Sequence, residues 1–588
     1  MLPTINARLA AAGYSLDRRN DINILFGGTQ ELNAWLKGLS FSTRVAYASV
    51  ESNGREQARD EIPVYRYDPS SGSYLLKGGA PYVLGNYTLR AYQGDYNSRV
   101  NVQANFNYAR TFGDHAVTAL LLYNRESYKT KGDKKINWIP QNFEGYTFRA
   151  GYNFKEKFLL DATAAYNGSD RFQAAQRYGL FPAVSAGYNL AKESFFKDAF
   201  SFVELFKLRA SYGIVGSDKV AGDRYLYQQV YNEGGNYSFG ETHQPSLIIT
   251  EGNLGNNNVT WEKQKSFDVG LDVNLWKNKF SMTIDYFNNL RYDQLVTSQS
   301  LFQHIGVGVS PSNIAKVRNR GVELELNVNN NIGAFNYNIK GVLTYFKNKI
   351  LFQDEPAPAY PWLRLTGQQI NQPLGYLYDG FYTDENIGTS PKPSGGYAVQ
   401  PGDLRYKDLN NDGVIDDYDR TVIGKPNVPN TSFGLTLGGS YKGFSFNVLL
   451  QGTTGYSFSV QGSGIEPFQS QFQPIHQERW TAQTASTAKF PRLTTNPTTI
   501  NSPSTYMSDF WLIDATYLRL KTVELGYQLP NKWLPFKMNN ARLYLSGYNL
   551  LTWTNYSLYQ QDPEVTSNSA GDAYQNQRVV NLGIQIGL

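Results

Sequence analysis

Asp408, Asn410 and Asp412 stand at alternate positions and are followed by Gly413, Val414, Asp416 and Asp419. This spacing matches positions 1, 3, 5 and 9 of the EF-hand calcium loop, with glycine at the sixth position and Val414 placed to offer its backbone carbonyl. Hard oxygen donors in that order point to Ca2+, bound to stiffen the segment 408–419 rather than to do chemistry on a substrate. The twelfth position is Asp419 where the motif has Glu, and a shorter carboxylate reaches an ion through one oxygen. The same residues also make an Asp/Asn-rich turn that needs no ion.

Nothing else in the chain has the spacing of a catalytic set, so an enzyme is not expected. The four histidines, His115, His243, His304 and His476, are far apart and show no metal-binding spacing. There is no phosphate-binding glycine loop and no nucleophile elbow. With 50 acidic residues, no carboxylate pair can be singled out as a general acid and base. With no cysteine, thiol catalysis, Cys-ligated zinc and disulfide scaffolds are excluded. Candidate contact aromatics fall in regions without strand periodicity: Tyr225, Tyr227, Tyr231, Tyr360, Trp362, Tyr376, Tyr378, Phe468 and Phe472. Such rings could stack on sugar or peptide groups, form the cores of loops, or meet a partner protein.

The elements that must hold these residues are strands. From Val100 to Tyr108, apolar residues occupy even positions and polar ones odd positions, which is the two-residue period of a strand. Val117, Ala119, Leu121 and Tyr123 repeat the pattern after the turn Gly113-Asp114. So do Phe267 to Leu275, Phe280 to Tyr286, Val322 to Val328 and Phe444 to Leu450. Short links near 113–114, 155–157, 277–278, 332–335 and 441–443 alternate with long ones near 129–142, 169–179, 214–258, 290–318, 348–430 and 453–511. Sorted short and long links, joined to strands of about ten residues or more, predict an all-β fold: a large antiparallel transmembrane β-barrel with about 18 strands in residues 1–588. On this reading 348–430 is a long extracellular loop. Tyr108, Phe112, Tyr123, Tyr128, Trp276, Tyr286 and Phe287 are expected in interfacial girdles. The first hundred residues are less regular, and strands there can be placed only loosely.

Composition agrees. Aromatics make up 14% of the chain and charged residues 18%, fewer charges than the roughly 25% of a soluble domain. The net charge of +5 is dispersed, with no basic block to bind nucleic acid. No apolar run is long enough for a helical span, and no signal peptide is recognisable at the start.

Several segments, in order, resemble the SusC/RagA-type family of TonB-linked outer-membrane proteins. They are Phe181-Pro182, Leu208 to Gly213, Gly375-Tyr376, Asp379 to Phe381, Gly402 to Asp408, Ile423-Gly424, Glu478 to Trp480, Tyr517 to Lys521, Asn549 to Leu551 and Asp562 to Glu564. The resemblance implies a 22-stranded barrel with an N-terminal plug, and TonB-powered import of an oligosaccharide or peptide. It also implies a SusD-like surface lipoprotein as a lid. Signal peptide, TonB box and plug are not recognisable in the chain, which is therefore expected to be an incomplete barrel. Coupling to TonB-ExbB-ExbD would then depend on an N-terminal region missing here. The partners expected are outer-membrane lipid, the lid lipoprotein and the nutrient, with no nucleic acid. A passive porin, or a soluble or secreted carbohydrate-binding β-protein, are the alternatives.

Overall fold

The computed structural model describes residues 13–587, except 59–64, 77–85, 132–138, 220–223, 301–305, 462–464, 466–471, 495–498, 535–537, 556, 560 and 566–574. Its main element is a 17-stranded antiparallel sheet, close to the expected count. No helix among the described residues is long and apolar enough to cross a membrane. Contacts divide the chain into two compact units, 1–152 with 162–182 and 218–227, and 153–161 with 183–217 and 228–588.

The first unit holds β1 (Gly13–Glu31), β2 (Leu39–Ala58), β3 (Thr88–Phe112), β4 (His115–Thr130), most of β5 (Gln141–Phe154) and parts of β6 (Phe158–Ser169) and β7 (Tyr178–Asn189). The irregular N-terminal stretch forms two very long strands. β1 and β2 run 19 and 20 residues in unbroken register, from Gly13 opposite Ala58 to Glu31 opposite Ser40. Their ends carry Asp17, Arg18, Arg19, Glu51 and Arg55, which interrupts the alternation. β3 runs 25 residues, well past the roughly 9–11 needed to cross hydrocarbon. The excess length explains the polar ends, since a strand beyond the hydrocarbon needs no apolar face. Gly113, with φ +58, makes the tight turn between β3 and β4.

The second unit holds β8 (Val203–Ser217), β9 (Glu262–Leu275), β10 (Phe280–Val296), β11 (Ser312–Ile332), β12 (Phe335–Phe352), β13 (Thr431–Tyr441), β14 (Phe444–Thr454), β15 (Tyr517–Gln528), β16 (Asn540–Thr554) and β17 (Val579–Gly587). Each pairs antiparallel with the next. Consecutive positive φ angles at Lys442 and Gly443 turn β13 into β14, the backbone twist a two-residue hairpin favours. The long link between β8 and β9 contains a strand pair of its own, Tyr231–Phe239 with Gln244–Glu251.

The alternating apolar residues form no sealed interior. In the first unit Val100, Phe106 and Leu121 are exposed, and in the second Phe267, Val269, Tyr286, Phe444 and Phe446 are. Val273 departs from its series, being 6% exposed. Phe287 does not join an outward girdle as expected. It lies on the opposite face beside Gly321, its register partner, where an added Cβ would come within 2.7 Å of its ring. Trp276, by contrast, is exposed at the turn after β9 and stacks on Phe202 at 5.8 Å.

Candidate functional site

The main buried cluster of the second unit lies in the long links, while the sheet buries only scattered residues such as Val273 and Ala541. Tyr376, Tyr382, Leu404, Tyr406, Ile415, Val460, Ile475, Phe490, Ile500 and Trp511 form one cluster drawn from the segments between β12 and β13 and between β14 and β15. Short pairings brace it: Leu374–Gly375 with Thr421–Val422, Tyr378–Phe381 with Leu404–Tyr406, and Lys392–Pro393 parallel to Val414–Ile415. Tyr406 and Tyr506 stack at 5.7 Å, and Tyr376 packs against both. Burial pushes the phenols of Tyr378 and Tyr382 up to about 12.

The polar centre of this assembly is Asp403, which is fully buried. One carboxylate oxygen accepts from Arg492 Nε at 2.7 Å and Asn501 Nδ2 at 2.8 Å. The other accepts from the Gln400 N–H at 2.9 Å and Tyr397 Oη at 3.0 Å. An ion pair is tolerated at such depth only when its remaining hydrogen-bonding capacity is met, which these four donors do. Next to it Gly402 has φ +89, and an added Cβ would lie 2.5 Å from the Trp480 ring. Two of the segments behind the family resemblance, Gly402 to Asp408 and Glu478 to Trp480, therefore meet here.

A second buried ion pair joins two others. Arg519, fully buried at the start of β15, donates to Asp562 at 2.7 Å, Glu564 at 2.8 Å and Thr552 at 3.0 Å. Tyr517 and Lys521 also donate to Glu564. A third cluster lies on the polar face of the sheet, where Arg209 of β8 meets Asp285 at 2.5 Å and Asp268 and Asp272 at 3.3 Å. Sequence reasoning found each segment but not these pairings, since nothing in one segment marks its distant partner.

The acidic loop closes on itself. Asp408 accepts the N–H groups of Gly413 at 2.8 Å and Asp412 at 3.3 Å, and Asn410 donates to Asp412 at 2.9 Å. Gly413 takes φ +85, as the sharp turn requires. Asp416 caps the short helix 417–419 by accepting the Tyr418 N–H at 2.8 Å. Asp419 is fully buried, and its two oxygens accept the N–H groups of Leu409 at 2.7 Å and Asp416 at 2.9 Å. Burial raises its pKa, against those two hydrogen bonds. Among the described residues no three acidic or histidine side chains converge as a metal cage. Val414 opens the short strand that pairs with Lys392–Pro393.

The candidate aromatics divide. Tyr376 and Tyr378 belong to the loop core. Tyr360 and Trp362 stack at 4.6 Å beside the acidic loop, with the Trp362 indole N–H on the Tyr418 carbonyl at 2.8 Å. Tyr225 and Tyr227 pair edge to face in the first unit. Tyr231 and Phe472 are exposed. Phe468 lies outside the described residues, as does His304. His476 is a buried core residue whose Nδ1 accepts the Gln473 N–H and whose Nε2 donates to the Ile465 carbonyl, both at 2.8 Å.

Long antiparallel strands with an exposed apolar face, and a separately cored set of long links, define a β-barrel protein of the outer membrane. The chain belongs to the TonB dependent receptor-like β-barrel family, whose model matches residues 3–550. It is 28% identical over 549 residues to TonB-dependent receptor P3 of Formosa agariphila, covering 89% of this chain and 50% of that one. It is 25% identical over 495 residues to TonB-dependent receptor SusC of Bacteroides thetaiotaomicron, covering 79% and 46%. The chain spans about half the length of these relatives. Its fold matches the RagAB peptide importer in the open-open state with a TM-score of 0.73 and 18% identity, over 98% of this chain and 62% of that one. The SusC/RagA-like resemblance read from the sequence segments therefore holds.

Proposed function

We propose that this chain forms barrel strands and outer loops of a TonB-dependent importer for a bulky nutrient, an oligosaccharide or a peptide. The observation that carries this reading is the division of labour in the second unit. A membrane-facing sheet supports loop segments that have their own core, large enough to shape a binding surface. Family membership and the names of the relatives agree with it. A SusD-like surface lipoprotein would close over these loops, and TonB-ExbB-ExbD would supply energy through the plug-bearing part of a longer protein. The chemistry is binding and gating, and no bond in the nutrient is broken.

Whole-cell uptake by the complete protein tests this. Labelled oligosaccharides or peptides should accumulate in cells with TonB and fail to do so in cells without it. Equal uptake in both would favour a passive pore and overturn the proposal.

The same reading includes a structural Ca2+ in 408–419. Its support is the donor spacing and the turn at Gly413. The donors would be Asp408, Asn410, Asp412, the Val414 carbonyl, Asp416 and Asp419; the carboxylates of Asp408, Asp416 and Asp419 also accept backbone N–H groups. Calcium should raise the thermal midpoint of the loop transition relative to chelator, and Asp408→Ala, which removes the first-position carboxylate, should abolish that rise. An identical midpoint with and without calcium would refute it.

A further inference from the structure

The outward face of the second unit carries a groove that transport does not use. Near the turn-proximal ends of β13, β14, β15 and β16, a cavity of about 470 Å³ is walled by Tyr441, Phe444, Phe446, Leu525, Leu543 and Leu545. Gly439 lies under the Phe446 ring, which an added Cβ would meet at 2.4 Å, so its lack of a side chain lets that ring lie flat along the wall. Phe444 and Tyr527 pack at 4.4 Å along one side. The wall side chains belong to the apolar face, and Phe444, Leu543 and Leu545 are exposed. Beside the groove, Lys442 sits at the tip of the β13–β14 turn with φ +46, its ammonium 5.2 Å from the centre of the Tyr441 ring.

We propose that this groove binds one anionic phospholipid of the periplasmic leaflet, with an acyl chain in the recess and the headgroup phosphate on Lys442. Three features select that occupant. The walls are hydrocarbon and aromatic, which suits an acyl chain and offers nothing to a sugar or a peptide backbone. The groove lies at the rim of the two-residue turn 442–443 between β13 and β14, and short turns face the periplasm in outer-membrane barrels. Tyrosine and lysine at the strand end sit where rings meet headgroups and a long cationic side chain reaches phosphate. Bulk lipid touches the whole apolar face, but a recess with a cation beside it distinguishes one lipid from the rest. The inference rests on the outer-membrane location and not on the transport reading.

The test is native mass spectrometry of the full chain in detergent, delipidated and then supplied with phosphatidylglycerol or with diacylglycerol. The unaltered chain should retain one phosphatidylglycerol. Lys442→Asn, which keeps a residue at ease with positive φ, should weaken phosphatidylglycerol retention about fivefold and leave diacylglycerol unchanged. Leu543→Trp should fill the recess and weaken both. Heat-modified gel mobility confirms that each variant is folded. Equal phosphatidylglycerol retention by all three proteins would mean ordinary annular lipid and overturn the proposal, as would lipid-free dimers burying this face.

Discussion

In the sheet of the second unit, Leu582 is 82% exposed, while in the loop assembly above residue 375 Trp511 is 1% exposed. Both regions are rich in large apolar side chains, yet they face opposite ways. The sheet turns such residues outward because lipid is as apolar as they are, and its stability comes from satisfied backbone hydrogen bonds between strands. The loop assembly meets water, so it hides its rings and aliphatic groups as any soluble domain does. One polypeptide is therefore folded against two solvents, and a substitution should have opposite consequences in the two regions.

The largest effects should come from the buried charges of the loop assembly. Asp403→Ala takes the carboxylate away from the half-buried Arg492 and from the Asn501, Gln400 and Tyr397 donors around it, and should cost about 3–5 kcal/mol of loop stability. Limited proteolysis should then cut within 353–430 while heat-modified gel mobility shows the sheet intact. Trp511→Ala should cost a similar or slightly smaller amount, about 3–5 kcal/mol, by opening a cavity in the same cluster. If either variant destroys the sheet as readily as the loops, the two regions are not separable.

On the sheet, side should matter more than residue type. Val269→Arg puts a charge on the lipid face of β9 and should cost about 2–4 kcal/mol near the bilayer midplane. Ser266→Arg, on the polar face of the same strand, should stay within about 0.5 kcal/mol. Denaturant unfolding in lipid vesicles separates them, and equal costs would contradict the inside-out assignment.

The smallest and most specific difference is in alkali. Tyr378 and Tyr382 titrate near 12 in the folded loops because burial disfavours the phenolate, whereas an unfolded tyrosine titrates near 10. The folded state thus holds these protons more tightly. Their contribution is fully present below about pH 10 and is lost as pH rises through about 12. Tyrosinate absorbance should show late-titrating phenols, and loop proteolysis should rise over that window before the sheet changes. Titration of every tyrosine near 10 would remove the argument.

Much of the sheet was legible beforehand. The alternation from Phe267 to Leu275 and the turns at Gly113, Gly333 and Gly443 are local properties, and local rules sufficed to place them. β1 and β2 could be placed only loosely because their length exceeds the hydrocarbon, and the polar ends erase the period. The loop core escaped because its residues follow no repeat. Leu404 N–H reaches Asn501 across 97 positions, and Tyr378 N–H reaches Asp509 across 131. In the acidic loop the spacing of Asp408, Asn410 and Asp412 was plain, but not that Asp419 would be buried as a backbone acceptor.

The sequence by itself determined the strand period, the placing of tight turns and the sorting of short and long links, because each depends on a few neighbouring residues and on the two-residue geometry of a strand. Only the tertiary structure decided that Asp403 meets Arg492, that Arg519 meets Asp562 and Glu564, and that the long links share one core. Those outcomes depend on which distant segments come together, and burial rewards the final packing without leaving a periodic trace along the chain.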